Sequence, residues 1–167
     1  ALETDELRFT ASGAVTSEIA GRANAQHVTL SGAGDYRAPK LVGDEPRVAV
    51  AAVLEGPSGQ LTVCNTHLSF VPGWGALQLS KLVRSLTGTR EPLVLMGDLN
   101  MQAGQAVRVS GLQPLAPATT PTFPVEEPTR QLDHVLGRGP IRATGPAEAV
   151  RLPLSDHRAL VVPCASP

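Results

Sequence analysis

Residues 93–100 of this chain read Leu93-Val94-Leu95-Met96-Gly97-Asp98-Leu99-Asn100. Four apolar residues without a polar break are typical of a short strand that is buried on both faces of a sheet. A glycine, a carboxylate and an amide follow this strand within four positions. Taken alone, such an ending is explained by a tight turn. The same residues would also suit a polar site at the edge of a sheet. The segments described next distinguish the turn from the polar site.

Polar side chains of the same kinds interrupt or flank three other apolar segments. Asn65-Thr66-His67 follows a strand predicted at residues 61–64, Asp133-His134 lies within one predicted at 132–136, and Asp156-His157 precedes one predicted at 159–162. An unpaired carboxylate or imidazole is costly to bury. Each interruption alone has a structural explanation, but the four together predict one shared polar site at a sheet edge. We assign His134 a structural role, because it alternates away from Asp133 on the strand.

The residue types in this set suit the hydrolysis of a phosphate ester. Carboxylates bind a hard cation such as Mg²⁺ through oxygen. A further carboxylate can orient or deprotonate a water molecule, and an asparagine can hold that water or a phosphoryl oxygen without adding charge. A histidine paired with an aspartate serves as an acid, a base or an electrostatic stabiliser.

The rest of the chain predicts a single domain over residues 1–167 with helices covering its sheets. Residues 74–86 form the best candidate helix, because Leu79, Leu82, Val83 and Leu86 recur on one face. We expect strands at residues 7–10, 27–30 and 48–54, with a hairpin joining 48–54 to 61–64 through a turn at 56–59. Residues 113–124 are rich in Pro, Ala and Thr and predict an ordered surface loop. The uninterrupted run at 48–54 needs cover on both faces.

Four motifs stand in order along the chain: Asn65-Thr66-His67-Leu68, Gly97-Asp98-Leu99-Asn100, Gln131-Leu132-Asp133-His134-Val135-Leu136 and Ser155-Asp156-His157-Arg158. Together they resemble the signatures of the endonuclease/exonuclease/phosphatase superfamily, which has the deoxyribonuclease-I-like fold. The resemblance covers residues 47–163. It implies an α/β (α+β) fold in which two packed mixed β-sheets are flanked by helices. It also implies a metal-dependent phosphoesterase that hydrolyses a phosphodiester or a phosphomonoester with an activated water.

The resemblance further implies a role for each matching residue. The catalytic residues it implies are His67, Asp98, Asn100, Asp133 and His157. His67 would contact or protonate the scissile phosphate, and Asp98 would position the attacking water or a metal. Asp133 would pair with His157.

Metal and substrate ligands are implied in the same way. Asp156 and Asp98 resemble metal ligands, and the metal of the family is Mg²⁺ or Mn²⁺. Asn65 and Asn100 resemble residues that bind the substrate. That substrate is a phosphate ester within a nucleic acid, a lipid or a small molecule.

The sequence departs from the family pattern near its beginning. Family members carry a Gln-Glu pair in their N-terminal half, and its glutamate is the principal metal ligand. This chain contains no Gln-Glu dipeptide. We therefore expect a domain that lacks part of the N-terminal half, with a missing N-terminal segment or a second chain as its partner. We also expect the isolated chain to have little activity with Mg²⁺ and to associate through an uncovered apolar face. A catalytically inactive binding or scaffold domain is the alternative.

Composition narrows the remaining classes of function. A formal net charge of -1 and an aromatic content of 3% argue against a dedicated nucleic-acid-binding module. Cys64 and Cys164 are too few for a disulfide scaffold, and no apolar run is long enough to span a bilayer. The acidic residues 1–6 do not resemble a signal peptide, which favours a cytoplasmic location without establishing one. A Ser-His-Asp hydrolase is disfavoured, because the chain has no G-x-S-x-G elbow.

Overall fold

The computed structural model describes residues 7–11, 23–26, 47–56 and 59–165 of the chain. Its ten strands and two helices within these ranges are β1 (Leu7–Ala11), β2 (Ala23–Gln26), β3 (Ala49–Gly56), β4 (Gly59–His67), α1 (Trp74–Ser85), β5 (Leu93–Asp98), α2 (Ala103–Ser110), β6 (Gln113–Pro114), β7 (Asp133–Arg138), β8 (Arg142–Ala143), β9 (Glu148–Arg151) and β10 (Arg158–Ala165). The strand predicted at residues 27–30 lies outside the described residues.

The described strands form two sheets. The larger has the order β2-β3-β4-β5-β7-β6, and it is mixed because β4 and β5 are parallel whereas the other pairs are antiparallel. In the smaller sheet β10 pairs antiparallel with β1 and with β8 and β9. The parallel step from β4 to β5 needs a crossover connection, which α1 supplies. The predicted fold of two packed sheets flanked by helices is confirmed.

One apolar core lies between the two sheets. Strand alternation builds it, because every second residue of a strand points to the same face. The buried residues of this cluster are Leu54, Leu61, Val63, Val94, Met96, Leu115, Ala116, Val135, Ile141, Leu160, Val162 and Cys164. The inner face of the larger sheet is thereby identified as the face that carries Val63, Met96 and Val135.

A second apolar core joins the helices to the outer face of the larger sheet. Leu79, Leu82 and Leu86 are buried there against Cys64, Leu93 and Leu95, as the spacing of the helix predicts, and Val83 packs against the cluster. The strand β3 supplies Ala49 and Ala51 to this core and Leu54 to the other. Both faces of β3 therefore carry buried residues, although Val48, just before the strand, is 55% exposed.

One expectation needs correction, and one helix was not predicted. Residues 113–124 are not a surface loop throughout, because Leu115, Ala116 and Thr122 are buried. The helix α2 was not predicted, because it spans 8 residues and buries only Ala106 and Ser110, too short a pattern to show a helical period. In the described part of the chain, no helix has the length and hydropathy needed to cross a membrane.

Candidate functional site

A row of polar side chains crosses the larger sheet at its edge. His67 on β4 is in register with Asp98 on β5, and Asp98 is in register with Asp133 on β7. All three continue the alternation of the inner face, since Met96 lies two residues before Asp98 and Val135 two residues after Asp133. The core between the sheets thus ends in a row that carries an imidazole and two carboxylates.

The geometry of the turn after β5 explains the glycine and the asparagine of its motif. Gly97 has φ 134°, and a Cβ there would lie 1.9 Å from the Thr66 carbonyl oxygen, so no larger residue fits. Asn100 has φ 50°, a left-handed conformation that asparagine tolerates better than most residues. Its backbone N–H donates a hydrogen bond of 2.8 Å to Oδ1 of Asp98. The turn therefore fixes one oxygen of the carboxylate.

The other oxygen of Asp98 faces two imidazoles. Its Oδ2 lies 3.4 Å from Nε2 of His67 and 3.7 Å from Nε2 of His157, which directly precedes β10 of the smaller sheet. Burial raises the pKa of Asp98, and the neighbouring charge of Asp133 raises it further. Asp98 thus lies at the centre of the site, between the two sheets.

His157 is held by a buried carboxylate. Its Nδ1 lies 2.7 Å from Oδ2 of Asp133, and the imidazole N–H is the donor. This hydrogen bond, together with the charges of Asp133, Asp98 and Asp156, raises the pKa of His157 despite its burial. With Nδ1 bound, Nε2 is the nitrogen that faces Asp98 and the site.

The amide of Asn100 completes the arrangement. Its Nδ2 donates a hydrogen bond of 2.9 Å to the carbonyl of Leu68 and lies 3.2 Å from Nε2 of His67. The His67 side chain is 38% exposed, whereas that of Asp98 is 3% exposed. His67 is therefore the imidazole at the solvent side of the site.

The structure brings five of the predicted site residues together: His67, Asp98, Asn100, Asp133 and His157. Asn65 lies two residues before His67 on the inner face and is half-buried. Asp156 is exposed, and its backbone carbonyl accepts a hydrogen bond from Val125. His134 lies on the opposite face of β7 from Asp133, where its Nε2 is 2.8 Å from the Met101 carbonyl oxygen.

Two residues of the site escaped the sequence analysis. Thr122 is completely buried, and its hydroxyl donates a hydrogen bond of 2.6 Å to Oδ2 of Asp133. The ring of Phe123 packs against the imidazole of His157, with centroids 4.8 Å apart. Both residues lie in the segment that was predicted to be a surface loop. Phe123 was visible as the one aromatic residue of this stretch, whereas nothing distinguished Thr122 from the neighbouring threonines.

The donors of the site do not form a complete metal centre by themselves. Mg²⁺ demands near-octahedral oxygen coordination. Within residues 7–11, 23–26, 47–56 and 59–165, no group of three or more His, Cys, Asp and Glu side chains is placed to hold a metal ion. Oδ1 of Asp98 already accepts the Asn100 N–H, and Asp156 is exposed. The described residues therefore do not fit a bound Mg²⁺ or Mn²⁺ unless further ligands join them.

Comparisons with known proteins bear on the family and on the fold. The profile of the Endonuclease/Exonuclease/phosphatase family matches residues 21–157. No curated protein matches the sequence. A functionally unknown conserved protein from Enterococcus faecalis V583 is similar in structure, with a TM-score of 0.70 and 17% identity over 98% of this chain and 78% of that chain.

Two further solved structures share the fold. D. rerio TDP2 complexed with a single-strand DNA product has a TM-score of 0.62 and 12% identity over 96% of this chain and 77% of that chain. A mannosyl-6-phosphatase from Bacteroides thetaiotaomicron VPI-5482 has a TM-score of 0.54 and 15% identity over 74% of this chain and 58% of that chain. At such identities the likeness concerns the fold alone.

Proposed function

Because the chain belongs to the endonuclease/exonuclease/phosphatase family, we propose that it hydrolyses a phosphate ester with an activated water. The family assignment inferred from the four motifs is confirmed, and membership implies a phosphoesterase-type activity. The observation that carries the proposal is the convergence on Asp98 of two imidazoles, one at the end of β4 and one directly before β10. Such a site offers one imidazole as a base and another as a proton donor, both beside the same carboxylate.

His157 is the general base in this proposal. Its Nδ1–H is bound to Asp133, so the lone pair on Nε2 of the neutral ring points into the site. A water proton moves to Nε2 while the water oxygen forms a bond to phosphorus and the ester P–O bond breaks. The buried carboxylate of Asp133 stabilises the imidazolium that results. The departing oxygen takes up a proton as the ester is cleaved.

His67 and Asn100 serve the phosphate in this proposal. The partly exposed His67 ring is placed to donate to a phosphoryl oxygen or to the departing oxygen. The Asn100 amide is anchored by one N–H on the Leu68 carbonyl, and its second N–H lies beside the same ring. Asp98 accepts a hydrogen bond from the attacking water and orients it. Asn65, two residues further along the inner face, is a candidate contact for the substrate.

The divalent metal that the family implies would supply charge stabilisation at the phosphate. Asp98 and Asp156 are the ligands that the motifs assign to it. Since the described residues alone do not complete a metal centre, the proton transfers above involve side chains only. Metal dependence is a proposal that rests on the family.

Hydrolysis assays with bis(p-nitrophenyl) phosphate and p-nitrophenyl phosphate test this function. Both are measured with Mg²⁺, with Mn²⁺ and with a chelator, and His157→Ala is compared with the exposed control Arg142→Ala. We expect weak hydrolysis by the isolated chain, which His157→Ala removes and Arg142→Ala preserves. The absence of hydrolysis under every condition would favour the alternative, a binding domain without catalysis.

Thermal unfolding in the presence of metal further distinguishes a metal-dependent phosphoesterase from a binding domain. A metal present at 100 times its Kd stabilises the folded chain by about 2.7 kcal/mol. A rise in the unfolding temperature with Mg²⁺ or Mn²⁺ that Asp98→Asn reduces would support a metal-dependent phosphoesterase. If neither metal raises it, the alternative of a binding domain without its own metal site is favoured.

A further inference from the structure

The carboxylate at the back of the site has an unusual set of partners. Oδ2 of Asp133 accepts hydrogen bonds from the Thr122 hydroxyl at 2.6 Å and from Nδ1 of His157 at 2.7 Å. Its other oxygen, Oδ1, is buried and has no hydrogen-bond partner among the described residues. Two donors therefore converge on one oxygen while the second is left without any.

The unequal hydrogen bonding of the two Asp133 oxygens indicates a role for the Thr122 hydroxyl. The terminal torsion of an aspartate is soft and nearly two-fold, so either oxygen of the carboxylate can face a single donor. A second donor on the same oxygen restricts that rotation. An O–H···O⁻ distance of 2.6 Å is typical of the stronger, charge-assisted hydrogen bonds. The Thr122 hydroxyl thus restricts the torsion of the Asp133 carboxylate that faces His157.

The backbone around Thr122 is anchored to the strand that follows His157. The Thr122 carbonyl accepts a hydrogen bond of 2.7 Å from the N–H of Arg158, and its own N–H donates to the Arg130 carbonyl. The Arg158 side chain donates to the carbonyls of Val125 and Glu126. The backbone of Thr122 is therefore held beside the residue that follows His157, which places the hydroxyl within reach of Asp133.

We propose that Thr122 is a positioning residue that fixes the Asp133 carboxylate and, through it, the orientation and tautomer of His157. The residue touches neither the water nor the phosphate. Its contribution to turnover rests on the proposed function, in which His157 is the base. Its contribution to the geometry of the Asp133–His157 pair can be measured without any substrate.

Substitutions at Thr122 separate the hydroxyl from the packing. Thr122→Val keeps the volume and removes the donor, whereas Thr122→Ser keeps the donor and removes the methyl group. The first measurement is the proton NMR signal of the His157 Nδ1–H at one fixed pH. We expect this signal in the unaltered protein and in Thr122→Ser, and a broadened, faster-exchanging signal in Thr122→Val. An unchanged signal in Thr122→Val would overturn the proposal.

The second measurement is the kinetics of phosphate-ester hydrolysis. We expect Thr122→Val to lower kcat by about tenfold, which is part of the ~10²–10⁴-fold that a general base contributes, and to leave KM unchanged. Thr122→Ser should restore kcat, and equal losses in both variants would contradict the proposal. If Thr122→Val does not fold, Thr122→Ala and Thr122→Ser provide the same comparison. If the unaltered protein hydrolyses nothing, the proposed function fails, while the NMR signal still decides the role of the hydroxyl.

Discussion

Asp98 and Asp133 lie directly opposite each other on the antiparallel strands β5 and β7, in the last pair of their register. Negatively charged carboxylates on directly opposed residues repel each other, and this repulsion contributes to the raised pKa of Asp98. His157 lies between them, with Nδ1 on Asp133 and Nε2 towards Asp98. The histidine, which directly precedes β10, thus links the two carboxylates, and its Nδ1–H stabilises the charge on Asp133.

The Asp133–His157 pair is expected to act as a unit in catalysis. His157→Ala should lower kcat by about 10²–10⁴-fold, the usual contribution of a general base. Asp133→Asn should cost less, because the base itself remains. The double variant should be no slower than His157→Ala, because Asp133 acts through the histidine. Steady-state kinetics of the three variants check this, and losses that simply multiply would show that the two residues act independently.

Alternation along strands is the part of the site that the sequence predicted well. His67 and Asp98 follow short apolar strands, and Asp133 opens another, so a common sheet edge could be inferred before the pairing was known. The helix over residues 74–86 was also predictable, since Leu79, Leu82 and Leu86 repeat with a helical period. Both patterns involve residues that are close in the sequence. They are predictable because each places its apolar residues in one or both of the two cores.

Long-range contacts were not predictable in the same way. Thr122 lies in an irregular segment without a period, and its contact with Asp133 depends on how that segment packs. The exposure of Asp156 depends on its backbone, whose carbonyl is bound to Val125. A sequence motif specifies residue types and spacing, but it does not specify which side chain of an adjacent pair turns inward.

The left-handed backbone of Asn100 allows its two roles to be separated. Asn100→Gly keeps the conformation and removes the amide, whereas Asn100→Ala removes the amide and strains the turn at φ 50°. Both variants should lose a similar fraction of kcat, because both lose the contacts with Leu68 and His67. Asn100→Ala should also be less stable than Asn100→Gly by about 1 kcal/mol. Kinetics and denaturant unfolding of the pair measure the two effects, and equal stabilities would contradict the backbone argument.

The tight approach at Gly97 predicts a large cost for a single methyl group. In Gly97→Ala the added carbon would overlap the Thr66 carbonyl and lie 2.9 Å from Oδ1 of Asn65, at a φ of 134°. Strain and overpacking together should cost roughly 3 kcal/mol. Gly88→Ala is the matched control, because a Cβ there has nothing within 4 Å, and its effect should stay within about 0.5 kcal/mol. Urea unfolding of both variants provides the measurement, and a stable Gly97→Ala would require a different path for β5.

The buried His134 predicts a loss of stability in mild acid. Burial lowers the pKa of His134 below the ordinary histidine value of 6.5. Below pH 6.5 the unfolded chain therefore binds a proton at His134. The folded chain binds that proton only at a lower pH, because its pKa is lower. The stabilisation is complete above pH 6.5 and is lost as the pH falls through the folded pKa. In the fold, Nε2 donates to the Met101 carbonyl, so protonation would leave a buried charge.

His134→Gln isolates this contribution, since a glutamine amide can donate to the same carbonyl but does not titrate. The variant should be less stable than the unaltered protein at pH 8, because a flexible amide replaces a packed ring. The difference in the free energy of unfolding should shrink as the pH is lowered from 8 to 5, since only the unaltered protein loses the His134 contribution. Urea unfolding at several pH values in that range checks this, with Gly88→Ala measured in parallel as a substitution that should not alter the pH dependence. A difference that is constant or grows towards pH 5 would mean that His134 is protonated in the fold, and the Met101 carbonyl would then be bound to an imidazolium.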